Sequence, residues 1–181
     1  MIRLAAAQDL DAVAAGYEAQ FDWEDAHGIA TNWARGRYPT RATAADACAA
    51  DTLWVLDEGG RLPASMILNS LQLDSYAGIP WQLAAAPQQV LVLHTLCVAP
   101  SAAGQGLGSR MVRFALARAA ALGCVTLRLD TWGGNRRAQA LYERLGFRLA
   151  GRAQTLFQGS IPEELVFYER AVTPADGRTQ N

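Results

Sequence analysis

Two segments carry residues whose types and spacing could do chemistry. The first runs Leu93-His94-Thr95-Leu96-Cys97-Val98 and continues, a few residues on, as Ala103-Gly104-Gln105-Gly106-Leu107-Gly108-Ser109. Glycine at every second position lets a turn present backbone N–H groups to an anion at close range. A helix that starts there aims the positive end of its dipole at the same point. Such a cradle can hold a pyrophosphate without a lysine, although a glycine turn of this kind is also an ordinary flexible connection. The second segment is Asn135-Arg136-Arg137-Ala138-Gln139-Ala140-Leu141-Tyr142-Glu143-Arg144-Leu145-Gly146-Phe147. Asn135 suits a helix N-cap, and Tyr142 offers a phenol that can donate a proton. His94 adds an imidazole, a group that titrates near neutrality.

The elements that must position these residues follow from periodicity. Residues 89–98 are almost continuously apolar, as in a strand buried on both faces, and Pro100 ends the run. After Gly104, Leu107, Met111, Phe114, Ala115, Ala119 and Leu122 form one helical stripe that Gly123 closes. Residues 125–130 read as a second buried strand, and Asn135 opens a helix closed by Gly146. Upstream, residues 1–5 suggest a short strand and a helical pattern begins at Asp9, with Gly28 as its stop. Residues 52–57 and 62–69 flank Glu58-Gly59-Gly60 as a hairpin. A short helix with Thr43 near its N-cap covers 43–50, and two last strands cover 147–150 and 165–172. Residues 70–87 form a long connection, a length usually functional or mobile. Residues 21–41 mix Phe21, Trp23, Trp33 and Tyr38 with acids and arginines, which suits a wall or lid over a pocket. The domain is expected over residues 1–172, with 173–181 as a disordered tail.

Composition removes several function classes. The 181 residues are 51% hydrophobic and 18% charged, so the chain can bury a core and is not disordered as a whole. The net charge of −1 argues against bulk-charge binding of nucleic acid. All sixteen basic residues are arginine, so no Schiff-base lysine or Walker A loop is available. A Rossmann reading is weaker, because the glycine spacing is wrong and no acid follows about twenty residues on at a strand end. Cys48, Cys97 and Cys124 lie far apart beside only two histidines, so neither a disulfide framework nor a metal site is expected. With no signal peptide and no apolar run long enough for a membrane, the expected compartment is the cytoplasm.

Over residues 88–150 the chain closely resembles the GNAT family, the Gcn5-related N-acetyltransferases. Their paired motifs are a (Q/R)xxGx(G/A) loop after a strand and N-x-x-A-x-x-x-Y-x-x-x-G-F on the next helix. The chain departs from the first motif at Ala103, which stands where the family has Gln or Arg; Arg110, Arg136 or Arg137 could supply the missing cation, or could be solvated surface residues. The resemblance implies a single α/β domain, a mixed and mostly antiparallel sheet flanked by helices. It implies acetyl-CoA as cosubstrate, with Leu96, Cys97 and Val98 bonding the pantetheine arm and Gly104, Gln105, Gly106, Leu107, Gly108 and Ser109 holding the pyrophosphate. Asn135 would also contact the cofactor. Tyr142 would bind it and protonate the departing thiolate, the other reading being a core tyrosine.

An acyl transfer by direct attack needs a base for the amine, and the family leaves that residue open. His94 is the first candidate: regular pleating puts it on the face of Leu96 and Val98, and the aralkylamine subgroup has histidine at this offset. Glu24, Asp25, His27, Glu163 and Glu164 are rivals, and Cys97 reads as a small buried hydrophobe. The expected acceptor is a small primary amine, in a pocket walled by Trp23, Trp33 and Trp81, with Glu24 and Asp25 attracting its charge. A solvated acidic helix end explains the same acids. A peptide or protein acceptor, or a non-catalytic CoA-binding regulatory module, are the alternatives. No nucleic acid, membrane or metal is expected, and a homodimer is common among such folds.

Overall fold

The computed structural model describes residues 1–157 and 161–178; the side chains of Phe157 and Ile161 are not described. Its sheet has seven strands in the order β1-β2-β3-β4-β5-β7-β6. These are β1 (Ile2–Leu4), β2 (Leu53–Glu58), β3 (Arg61–Asn69), β4 (Val90–Val98), β5 (Thr126–Trp132), β6 (Arg148–Phe157) and β7 (Ile161–Ala171). β4 and β5 are parallel, while β1–β2, β2–β3, β5–β7 and β6–β7 are antiparallel. Four helices accompany them: α1 (Leu10–His27), α2 (Arg41–Ala49), α3 (Leu107–Ala121) and α4 (Arg136–Arg144). The chain divides into two compact units. The first comprises Met1–Ile29, Trp33–Leu68 and His94–Val112; the second comprises Ala30–Asn32, Asn69–Leu93 and Arg113–Asn181.

In the first unit, Leu10, Val13, Tyr17 and Phe21 recur at three and four along α1 and are buried against Ala44, Ala47, Leu53, Val55, Ile67 and Cys97. Burial of such side chains is worth about 1.5–3 kcal/mol each before entropy is charged against it. The helix entrance is held by Arg3, whose guanidinium binds Asp9 at 2.6 Å, while Asp9 also accepts the N–H of Ala6 at 2.7 Å. The helix expected from Asp9 to Gly28 is observed, residues 21–27 continuing α1 to the Gly28 cap. One expectation is corrected here. The N-cap of α2 is Thr40, with Thr43 as its partner in a reciprocal capping box. The β2–β3 hairpin turns at Gly59 and Gly60, both at positive φ as a tight two-residue turn requires.

In the second unit, β5, β6 and β7 pair over long registers, β6 and β7 being much longer than the sequence patterns suggest. Residues 70–87 are a packed strap: Tyr76 and Ile79 are buried with Val90, Val92, Leu165 and Phe167. The strap is also fastened by polar contacts. Glu169, 3% exposed, accepts the N–H groups of Gln82 and Leu83, and faces Arg128 at 3.7 Å. Arg128 donates to Gln72 and to the Leu83 carbonyl, and its guanidinium lies 4.1 Å from the Trp81 ring centroid. Residues 173–178 include a 3-10 turn whose Asp176 accepts from Arg170 and Thr173; residues 179–181 lie outside the described part.

Candidate active site

The first unit supplies a strand end and an anion cradle. The parallel register of β4 with β5 runs from Val90↔Thr126 to Leu93↔Leu129, and β4 then continues to Val98. At Thr95 the backbone turns to φ 50°, a left-handed conformation that a β-branched residue seldom adopts. Its hydroxyl is hydrogen-bonded to the Tyr38 phenol at 2.5 Å. The strand therefore departs from extended backbone two residues past Leu93, the last position paired with β5. Thr95 and Cys97 are buried, while His94, Leu96 and Val98 are half-buried. Burial alternates through this stretch, with His94, Leu96 and Val98 the more accessible set, in line with the shared face expected from pleating.

Beyond Pro100 the chain enters an exposed turn, with Gly104 at φ 81° and Gly106 at φ 76°. A Cβ at either position would meet open space, so the loop's surface is clear for a ligand. The first helical bond of α3 runs from the Arg110 N–H to the Gly106 carbonyl. The N–H groups of Leu107, Gly108 and Ser109 thus stand at the helix start, where an anion is the natural acceptor. This geometry fits the pyrophosphate of CoA. Arg110, 49% exposed, lies 3.7 Å from Glu58, an exposed pairing of little energetic weight. Cys97 is buried and its thiol is pushed up to about 12 by burial, which suits a packing residue rather than a nucleophile.

The acceptor-side residues expected from the sequence also have partners. Trp23 stacks on His27 with ring centroids 4.6 Å apart, and Trp33 meets Tyr17 edge-on at 6.3 Å. Glu24 is buried and accepts from Gln20 at 2.8 Å. Asp25 binds Arg35 at 3.0 Å, together with Asp22 and Glu18. These contacts join the 28–40 connection to α1. Glu163 accepts from Asn32 and Thr155, and Glu164 from Arg152.

The second unit supplies the phenol. Trp132-Gly133-Gly134-Asn135 makes the turn from β5 into α4, and each glycine is there for a steric reason: a Cβ on Gly134 would lie 2.3 Å from the Trp132 ring, and one on Gly133 would lie 2.8 Å from Glu164. Asn135 then caps α4, its side chain accepting the Ala138 N–H at 3.1 Å. Seven residues on, Tyr142 is buried between Phe147 and Tyr168, at centroid distances of 5.8 and 6.1 Å. Burial, and then the charge of Asp130, push its phenol above the ordinary value. A phenol so placed stays protonated at neutral pH, as a proton donor must.

Asp130 and Tyr76 are the residues that sequence reasoning passed over. The strand was expected to stop at Asp130, but β5 continues to Trp132 and puts this acid inside it. Tyr76 donates to its Oδ1 at 2.6 Å. An acid within an otherwise apolar strand was the available signal.

The acetyltransferase (GNAT) family model matches residues 15–147. The chain belongs to this family. As an acetyltransferase it has acetyl-CoA as its donor, which the cradle fits. The fold is shared with solved structures. An N-acetyltransferase from Staphylococcus aureus Mu50 is 22% identical, with TM-score 0.69 over 96% of this chain and 98% of that one. The yncA protein of Salmonella typhimurium, solved with its cofactor acetyl-CoA, is 17% identical, with TM-score 0.70 over 96% and 94%. The ribosomal-protein-S18-alanine N-acetyltransferase of Escherichia coli is 20% identical, with TM-score 0.64 over 100% and 98%. Comparison with curated proteins gives no match. Among the described residues no helix is long and apolar enough to cross a membrane, and no group of three or more His, Cys, Asp or Glu side chains could hold a metal ion.

Proposed function

We propose that this acetyltransferase moves the acetyl group of acetyl-CoA to a small primary amine by direct attack within a ternary complex. The observation that carries the reading is the open glycine turn at the start of α3, a backbone cradle that needs no cationic side chain. In this reading residues 104–109 hold the pyrophosphate and the end of β4 at Leu96, Cys97 and Val98 bonds the pantetheine arm. Tyr142 protonates the thiolate, with Asn135 fixing the start of its helix and contacting the cofactor. Trp23, Glu24, Asp25 and Trp33 border the acceptor. The free thiols of Cys48, Cys97 and Cys124 accord with a reducing, cytoplasmic site of action.

A peptide acceptor is the second reading, favoured by the likeness to an enzyme named for acetylating a ribosomal protein's alanine. Thiol-reagent detection of CoA release over a panel of small amines and peptide N-termini separates the two. Small-molecule transfer predicts turnover with compact amines. Turnover confined to peptides contradicts it, and CoA binding without turnover on any acceptor contradicts catalysis.

A further inference from the structure

Asp130 occupies an unusual place for an acid. Thr126, Leu127, Arg128 and Leu129 before it in β5 are buried, and its register partner on β7 is Phe167. Its carboxyl is only partly exposed, and one oxygen is fixed by the Tyr76 phenol at 2.6 Å. Tyr76 is itself held rigidly: it is 2% exposed, edge-on to Phe167 at 5.2 Å and tilted against Trp81 at 5.5 Å. A half-buried carboxylate set among apolar neighbours without a cation gains affinity for a proton, which suits a group that must accept one. Arg128, two residues earlier, is committed to Glu169, and among the described residues no cation pairs with Asp130.

We propose that Asp130 is the general base that takes a proton from the acceptor's ammonium group, with Tyr76 as the positioning residue that orients the carboxylate. This rests on the acetyl-transfer reading above and names the base that reading leaves open. Tyr76 from the strap donates to this carboxyl, the charge of Asp130 acts on the phenols of Tyr76 and Tyr142, and Arg128, paired with Glu169, also acts on Tyr76. Burial raises the carboxyl above the ordinary carboxylate value, and the Tyr76 hydrogen bond pulls it part of the way back. One oxygen is occupied by the phenol and the other is left to receive the proton. Asp130 and Tyr142 then form an acid–base pair in which the charge on the carboxylate keeps the phenol protonated.

The protons balance. Asp130 carboxylate takes one proton from R–NH3⁺ and releases it to solvent. The neutral amine forms the C–N bond, the C–S bond breaks, and Tyr142 gives its proton to the thiolate. The nitrogen, now carrying one proton too many for an amide, returns a proton to the Tyr142 phenolate. The products are R–NH–acetyl, CoA thiol and one proton.

The test is the pH profile of kcat/KM for the amine on wild type, Asp130→Asn, Tyr76→Phe and His94→Ala, with infrared titration of the carboxyl band in the same proteins without substrate. The base role predicts a 10²- to 10⁴-fold loss in Asp130→Asn near neutrality. Its rising limb should lose the inflection and continue upward with pH, and KM for acetyl-CoA should change less than about twofold. Tyr76→Phe should move the inflection to higher pH, because the hydrogen bond that favours the charged carboxylate is gone. His94→Ala should keep the inflection in place. In the infrared, Asp130→Asn should remove one carboxyl that titrates above the usual range, and Tyr76→Phe should move that same band upward. An inflection retained in Asp130→Asn, or lost in His94→Ala, overturns the proposal while leaving the transferase reading intact. A wild type that transfers to no amine overturns that reading, and the base role with it. Should Asp130→Asn not fold, Tyr76→Phe decides: an unmoved inflection and band overturn the proposal.

Discussion

The two chemical regions of this protein are built from opposite materials. The anion cradle is backbone: exposed, open above Gly104 and Gly106, and made from residues adjacent in sequence. The proton-handling cluster is side chain: Tyr76, Asp130 and Tyr142, brought together from a strap, a strand and a helix. The contrast teaches where substitutions act. A change in the cradle should cost ligand binding more than folding, because little is packed against it. A change around the cluster should cost folding or turnover, because each member is held by buried neighbours.

The largest effect on stability is expected at the strap's fastening. Arg128→Leu leaves Glu169 buried without its cation and should cost about 3–5 kcal/mol in urea unfolding. Adding Glu169→Leu should recover much of that loss; a double variant no better than the single one would break the assignment of the pair as the fastening. Next comes the cradle. At acetyl-CoA 100 times its dissociation constant, linkage gives wild type about 2.7 kcal/mol of added stability, and Gly106→Asp should lose that increment by setting bulk and negative charge beside the pyrophosphate. The ligand-free protein should lose only about 1–2 kcal/mol, the cost of a side chain at φ 76°. A cofactor-induced melting shift that survives in Gly106→Asp would contradict the cradle.

Smaller effects sharpen the comparison. Asn135→Ala removes the α4 cap and should cost about 1 kcal/mol, with Asn135→Gly a few tenths; a larger KM change for acetyl-CoA than the stability change explains would assign Asn135 to the cofactor as well. The smallest effect is at Asp9, away from both regions. Its carboxyl is held below the ordinary range, first by the hydrogen bond from Arg3. A lowered folded value means the contribution is present above the unfolded value and is lost as pH falls through the folded one. The stability gap between wild type and Asp9→Asn should therefore close below about pH 4, measured by thermal unfolding across an acid series.

How much of this was legible in the sequence follows the same division. Glycines mark the cradle because only they take its backbone conformation freely, and the helix stripe and caps around them are local patterns. The GNAT fold was readable from two such local segments. The strap is legible only as a long connection, functional or mobile, because Tyr76 finds Asp130 and Gln82 finds Glu169 across 54 and 87 positions of sequence, and no periodicity records a contact of that range. Residues 21–27 are legible as the end of a helix stopped by Gly28, but their aromatic and charged residues suit an exposed helix end as well as a lid, and only the structure shows Asp22 and Asp25 serving Arg35. Thr95 carried no signal at all, since a β-branched residue in a strand gives no hint of a left-handed turn.

The central claim is that the buried cluster handles protons while the backbone cradle handles the cofactor, and Tyr142 tests it most directly. Steady-state CoA release by Tyr142→Phe, with acetyl-CoA and the amine each varied, should show kcat lowered roughly 10²- to 10⁴-fold and KM for acetyl-CoA nearly unchanged. Turnover equal to wild type would contradict the account and return Tyr142 to the packing of Phe147 and Tyr168.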